Sequence, residues 1–110
     1  AITEPFVINS GLCIAYHTIE NRDEKIPIKI KNNLNGWIAG CDICQDICPW
    51  NKSAPTNDSY EVKPKEWITN LNHEALLWND EEWAKKLKGT TLKRIKPWMW
   101  RRNIKAVLQN

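Results

Sequence analysis

The chain has 110 residues, 42% of them apolar, and a net charge of +3. That size fits one small domain or a piece of a larger protein. No apolar run approaches the roughly 18 residues of a membrane span, so no transmembrane helix is expected.

The chain opens "AITEPFVINSG", without Met, as the interior of a longer protein would. Residues 12–20, "LCIAYHTIE", predict a helix, because Leu12, Tyr16 and Ile19 recur at spacings of four and three. "NRDEK" follows as a solvated loop. Residues 26–34, "IPIKIKNNL", alternate like a strand, but Pro27 suits the first position of a helix before an Asn-rich stop, and a helix is favoured. Residues 41–48 form a cysteine-bearing turn or short helix that halts at Pro49. The stretch "NKSAPTNDSYEVKP" is loop, broken by Pro55 and Pro64.

From Pro64 onward every segment predicts helix. "KPKEWITNL" starts at Pro64, and "NHEALLW" forms a second short helix. Asn79 with Glu82 three residues later makes a capping box for "EEWAKKLK", which ends at Gly89. "TTLKRI" is short. "PWMWRRNIKAVLQ" is longer, with Pro97 near its first position, and is suited to begin a helical repeat. Seven tryptophans against one Phe are expected to fill a small core and its rim, each indole N–H reaching a partner. A sharper alternative has a few of them shielding a cofactor or stacking on bases.

The chemistry concentrates in "GCDICQDICPWNK", where Cys41, Cys44 and Cys48 follow C-x2-C-x3-C-P. Paired ferredoxin clusters use C-x2-C-x2-C-x3-C-P. On that template the first cysteine falls at Ile38, so one thiolate is missing. The only other cysteine is Cys13, on a segment that could fold back to supply it. Short gaps suit a 4Fe–4S cluster because backbone N–H groups can then wrap the inorganic sulfides. Structural zinc is an alternative, although it usually takes two C-x2-C knuckles and only one is present. A disulfide framework lacks any secretory hallmark and suitable geometry. Simple buried cysteines on one helix face are the plainest alternative.

With its flanking residues, this pattern resembles the epoxyqueuosine reductase family of tRNA-modifying iron–sulfur enzymes. Members read R-C-I-S-Y-L-T-I-E and then G-C-D-x-C-Q-x-V-C-P-W-N, against "LCIAYHTIE" and "GCDICQDICPWNK" here. "LKRIKPWMWRRNIKAVLQN" resembles a later basic segment of the family. The likeness covers roughly residues 1–52 and 85–110. Leu12 stands where the family often has Arg, and His17 where Leu is common. A first four-cysteine motif and a cobalamin-binding domain precede this segment in the family and are not in these residues.

The resemblance implies a mainly α fold: a partial ferredoxin-like 4Fe–4S segment over residues 1–55, then a small bundle of short helices over 56–110. It implies that Cys13, Cys41 and Cys44 ligate one 4Fe–4S cluster and Cys48 a second. Each would be completed by the preceding motif, so both clusters are incomplete in this chain. It further implies electron relay to cobalamin, reduction of epoxyqueuosine to queuosine in tRNA, a cytoplasmic location, contact with the upstream domains, and no catalytic residue here. A generic ferredoxin-like electron carrier and a zinc-stabilised nucleic-acid-binding module are the alternatives.

His17 and His73 are expected in ordinary core or surface roles, and Asp42 and Asp46 on a solvated face. Residues 84–110 hold nine Lys and Arg and no Asp or Glu, leaving residues 1–83 net negative. Segregation of that kind suggests a polyanion partner. Lys93, Arg94, Lys96, Arg101, Arg102 and Lys105 are the candidate tRNA-backbone contacts, with Trp98 or Trp100 available for stacking.

Overall fold

A computed structural model describes residues 1–57, 59 and 63–109. The chain begins with a two-stranded antiparallel hairpin, β1 (Ile2–Glu4) and β2 (Val7–Ile8). Pro5 presets its own φ and Phe6 takes φ 65°, as in a type II turn. The sequence reading missed this hairpin, because strands of two and three residues are too short to show alternation. A 3-10 turn at Ser10–Leu12 leads into Cys13. The expected first helix follows as a helical run ending in a π-turn, Tyr16–Glu20.

Residues 28–31 form helix α1 (Ile28–Lys31), so helix prevails over strand, with Pro27 as its N-cap. Helix α2 (Ile43–Asp46) lies within the cysteine segment. A 3-10 turn, Pro49–Asn51, follows, with Pro49 at its first position. Asp58 and residues 60–62 of the expected loop lie outside the described residues. Helix α3 (Glu66–Thr69) starts just after Pro64. "NHEALLW" makes a 3-10 turn, His73–Leu76, capped by Asn72.

Helix α4 (Asp80–Leu87) has the predicted capping box: Asn79 Oδ1 accepts from Glu82 N at 2.9 Å and Glu82 Oε2 accepts from Asn79 N at 2.7 Å. Gly89, with φ 72°, turns the chain after it. A 3-10 turn at Thr91–Arg94 leads to helix α5 (Pro97–Leu108). The fold is mainly α, as expected, and one two-stranded sheet is present among the described residues. No described helix is long and apolar enough to cross a membrane.

Helix α5 is the spine of the molecule. Its residues Met99, Trp100 and Ile104 enter a core with Ala75, Trp83, Leu87 and Ile95. Ile19, Ile38 and Ala39 of the N-terminal half pack against that core. Further along, Ala106 joins a second cluster with Ile26, Ile30 and Leu34. Trp83 stacks on Trp100 with centroids 5.2 Å apart, and Trp67 meets Trp78, Trp83 and Trp100 edge to face. The indole N–H groups of Trp67, Trp83 and Trp100 meet no hydrogen-bond acceptor. This corrects the expectation that each would find one. Aromatic edges set against aromatic faces recover part of that loss.

Candidate metal centre

The cysteine backbone is shaped by short local hydrogen bonds. Asn9 Oδ1 accepts from Gly11 N at 3.0 Å, and Cys13 N donates to Ser10 O at 2.9 Å, so the turn before Cys13 is closed twice. His17 is buried and its ring is used on both sides. Nε2 lies 3.0 Å from Gly11 O, and Nδ1 lies 3.1 Å from Asn21 Nδ2. The Asn21 amide donates to Nδ1, which assigns the proton to Nε2 and its bond to Gly11 O. With both nitrogens engaged, His17 is a structural residue that ties the loop before Cys13 to the helix after it.

Gly40, at φ 86°, turns the chain into Cys41, and its N–H donates to Thr18 Oγ1 at 3.0 Å. Cys44 lies on α2. Cys48 follows α2 as N-cap of the Pro49–Asn51 turn. Asn51 Nδ2 donates to both Gln45 O and Gln45 Oε1 at 3.0 Å, closing the loop that starts one residue after Cys44 and carries Cys48. The Gln and Asn of "CQDICPWN" are therefore loop staples.

All four cysteines are free thiols. Cys13, Cys41 and Cys48 are half-buried, and Cys44 is exposed. Because α2 spans only Ile43–Asp46, Cys41 and Cys48 lie outside it, so the three cysteines do not share one helix face. Among the described residues, no three His, Cys, Asp or Glu side chains converge to hold a metal ion. Asp42, Asp46 and His73 are solvent-exposed. The donors on offer are soft thiols, which suit iron–sulfur or zinc and not magnesium or calcium. By chemistry they fit an iron–sulfur group.

Behind the cysteines, α5 grips the chain with two adjacent side chains. Arg102 Nη2 donates to His17 O at 2.7 Å, and Nη1 donates to Asn21 O at 2.9 Å and Asp23 O at 2.6 Å. Burial pulls the Arg102 guanidinium below the usual arginine range. Asp23 opposes that shift and Arg22 adds to it. Fully buried Asn103 donates through Nδ2 to Thr18 O at 2.8 Å and to Ile38 O at 2.9 Å, while its Oδ1 accepts from Arg102 Nε at 3.1 Å. The sequence reading missed this network. Its one signal was an Asn on the apolar face of α5, between Trp100 and Ile104.

The candidate basic residues are divided among different tasks. Arg94 Nε pairs with Glu20 Oε1 at 2.7 Å. Arg101 Nη2 pairs with Asp80 Oδ1 and also donates to Trp78 O, both at 2.7 Å. Lys93 and Lys96 border a hollow of about 370 Å³ between α4 and α5. Lys105, Arg101 and Arg102 border a separate groove of about 950 Å³ beside α1, together with Lys25, Lys31 and Trp98. Trp98 is 41% exposed and Trp100 is buried, so of this pair Trp98 alone presents a face. Arg102 lies over the Trp98 ring, 5.4 Å from its centroid.

Residues 1–51, which contain all four cysteines, match a 4Fe-4S double cluster binding domain. The epoxyqueuosine reductase of Prochlorococcus marinus strain NATL2A is 54% identical over 109 residues, covering 97% of this chain and 35% of the relative. That of Synechococcus sp. strain CC9605 is 51% identical over 96% of this chain and 34% of its own length. The chain belongs to the epoxyqueuosine reductase family. A more distant epoxyqueuosine reductase, from Salmonella typhimurium strain LT2, is 33% identical across the whole chain and 29% of its own length. The chain thus spans about a third of the length of the epoxyqueuosine reductases it matches. No solved structure matches it. The iron–sulfur match lies in the first 51 residues of the chain.

Proposed function

We propose that this chain is the electron-relay segment of an epoxyqueuosine reductase acting on tRNA in the cytoplasm. The observation that carries the reading is the free-thiol array of Cys13, Cys41, Cys44 and Cys48 inside a segment matched to a double-cluster domain. In this reading Cys13, Cys41 and Cys44 hold one 4Fe–4S cluster and Cys48 holds a second. The other thiolates come from elsewhere in the reductase. When bound, the clusters supply one-electron transfer, and a cobalamin held outside this chain supplies the chemistry that reduces epoxyqueuosine to queuosine. This chain's own residues hold thiolates in place and contribute cationic surface for the RNA backbone. In this reading the cobalamin that carries the chemistry is held outside this chain, so the 110 residues alone are expected not to turn over.

Iron, sulfide and zinc content of the full-length protein after anaerobic purification tests the ligand sets. Cys13→Ala, Cys41→Ala and Cys44→Ala are each expected to remove the same cluster, and Cys48→Ala the other. Equal loss with all four would mean that they share one cluster. Zinc in place of iron would support the zinc-stabilised nucleic-acid module. For RNA contact the lysines are the informative residues, because Arg94, Arg101 and Arg102 also hold the fold. Counterion release makes backbone binding steep in salt, about 0.7 to 0.9 log units per phosphate contact. Replacing both Lys25 and Lys105 by Ala should therefore lower the salt slope of tRNA binding by about 1 to 2. An unchanged slope would remove this groove from the RNA surface.

A further inference from the structure

Four carbonyls behind the cysteines, those of His17, Thr18, Asn21 and Asp23, accept hydrogen bonds from only two side chains, Arg102 and Asn103. The backbone that ends the Tyr16–Glu20 turn has orphan carbonyls of the kind every helix C-terminus leaves. A guanidinium placed there satisfies several at once and complements the local dipole. Asn103 reaches further. One N–H of its amide bonds Thr18 O and the other bonds Ile38 O, three residues before Cys41. Thr18 closes the circuit, since its Oγ1 donates to Ile14 O at 2.9 Å and accepts from Gly40 N at 3.0 Å. The backbone next to Cys13 and the backbone next to Cys41 are thus tied to one point on α5. Asn103 and Thr18 are both fully buried, so the tie is shielded from competing water.

We propose that Arg102 and Asn103 are positioning residues of the iron–sulfur site. Asn103 acts through Thr18, and Arg102 through Asn103 and the carbonyls on either side of Thr18. Together they fix the Cys13 turn and the Cys41 loop relative to each other, so that both thiolates are preset for one 4Fe–4S cluster. The proposal rests on the reading that Cys13 and Cys41 ligate the same cluster. Neither residue would be a ligand, since both spend their polar atoms on backbone carbonyls and on each other. They act as second-layer partners of metal ligands do, holding ligands in an orientation that free chain would otherwise have to find on binding. A helix far along the sequence therefore governs how firmly the cysteine half keeps its metal.

The test uses full-length protein purified anaerobically, in four variants: Asn103→Ala, Arg102→Lys, Thr18→Val and Thr18→Ser. Lysine keeps the charge but cannot span three carbonyls. Valine keeps the shape of Thr18 without its hydroxyl, and serine restores the hydroxyl. Iron release to a chelator is expected to accelerate about 10- to 100-fold in the first three, the usual range for lost outer-layer partners. Their reduced-cluster electron paramagnetic resonance line shape and midpoint potential should shift for one cluster only. Thr18→Ser should behave as the parent does. The near-ultraviolet circular dichroism of the Trp core should stay unchanged in Arg102→Lys and Thr18→Val, so these two decide the matter if Asn103→Ala fails to fold. Parent-like release rate, line shape and potential in Arg102→Lys and Thr18→Val, alongside cluster loss in Cys13→Ala, would overturn the proposal. Retention of the cluster in Cys13→Ala would instead overturn the ligand reading beneath it.

Discussion

Between Trp67 and Ile104, four tryptophans share one continuous apolar core. Between Gly40 and Asn51, no residue is buried. The buried apolar residues of the first half are few: Ile26, Ile30 and Leu34. Its other buried residues are polar, His17, Thr18 and Asn21, and they are held by hydrogen bonds. Meanwhile Phe6, Ile47 and Trp50 stand in solvent. The helical half is stabilised by removing apolar area from water, which needs no partner. The cysteine half has little such area to bury. Its order comes from directional bonds to α5 and, in the proposed function, from metal. Small iron–sulfur segments generally take a large part of their folding free energy from the metal they bind.

The sharpest way to break that comparison is to empty the Trp core. Trp83 is fully buried, stacks on Trp100 and packs edge to face against Trp67 and Trp78. Trp83→Ala should cost about 3 to 5 kcal/mol, the range for large-to-small aromatic truncation in a core. Denaturant unfolding followed by near-ultraviolet circular dichroism reads it directly. A loss under about 1 kcal/mol would mean that the cluster relaxes around the hole and is not the main support.

A smaller effect is expected at Asn79. Its side chain and that of Glu82 satisfy two N–H groups that would otherwise be orphaned at the start of α4. Asn79→Ala should destabilise by about 1 kcal/mol, whereas Asn79→Gly should cost only a few tenths. The difference between the two substitutions is the informative quantity, because both remove the side-chain oxygen. Thermal unfolding of the pair measures it.

Gly40 carries a comparable effect into the cysteine half. An added Cβ would meet Ile19 Cδ1 at 3.8 Å, so space is available, but φ 86° disfavours any side chain. Gly40→Ala should cost about 1 kcal/mol through backbone strain. It should also disturb the N–H bond to Thr18, and hence the approach to Cys41. Iron content would fall more than global stability does. Equal falls would mean that the turn serves the whole fold and not the site.

How legible each region was in the sequence follows the same division. The helical half announced itself through local signals: Asn79 and Glu82 three apart, Gly89 after α4, Pro97 opening α5. The cysteine spacing was equally plain. What stayed hidden depends on residues far apart in the chain. Arg94 meets Glu20 across 74 positions, and Arg102 meets His17 across 85. A count of basic residues in the tail cannot distinguish a cation committed to a carbonyl from one facing solvent. The nine cations therefore looked like one patch, while three arginines are engaged by partners within the chain, Arg94 at the surface, and the lysines of the candidate set border two separate hollows. The unpartnered indoles escaped for a related reason, since ring-on-ring packing is a tertiary property.

Trp50 gives the smallest expected effect and isolates the two meanings of tryptophan in this chain. It is 90% exposed beside Cys48 and Pro49, whereas Trp83 and Trp100 are fully buried. Trp50→Ala removes almost no buried area, so stability should change by less than about 0.5 kcal/mol, the usual limit for surface substitutions. If a tryptophan in the cysteine half were a core residue like those of the helical half, the cost would approach that of Trp83→Ala. An intermediate loss, seen only when iron is bound, would point to contact made in the metal-loaded protein. The measurement is therefore made twice, with and without reconstituted iron and sulfide, on full-length protein. A null result in both states leaves the division of forces as the structure draws it: apolar packing dominates beyond Glu66, and hydrogen bonds to α5 dominate before Asn51. A large loss in the metal-free state would show that the cysteine half has a core of its own, and would end the comparison.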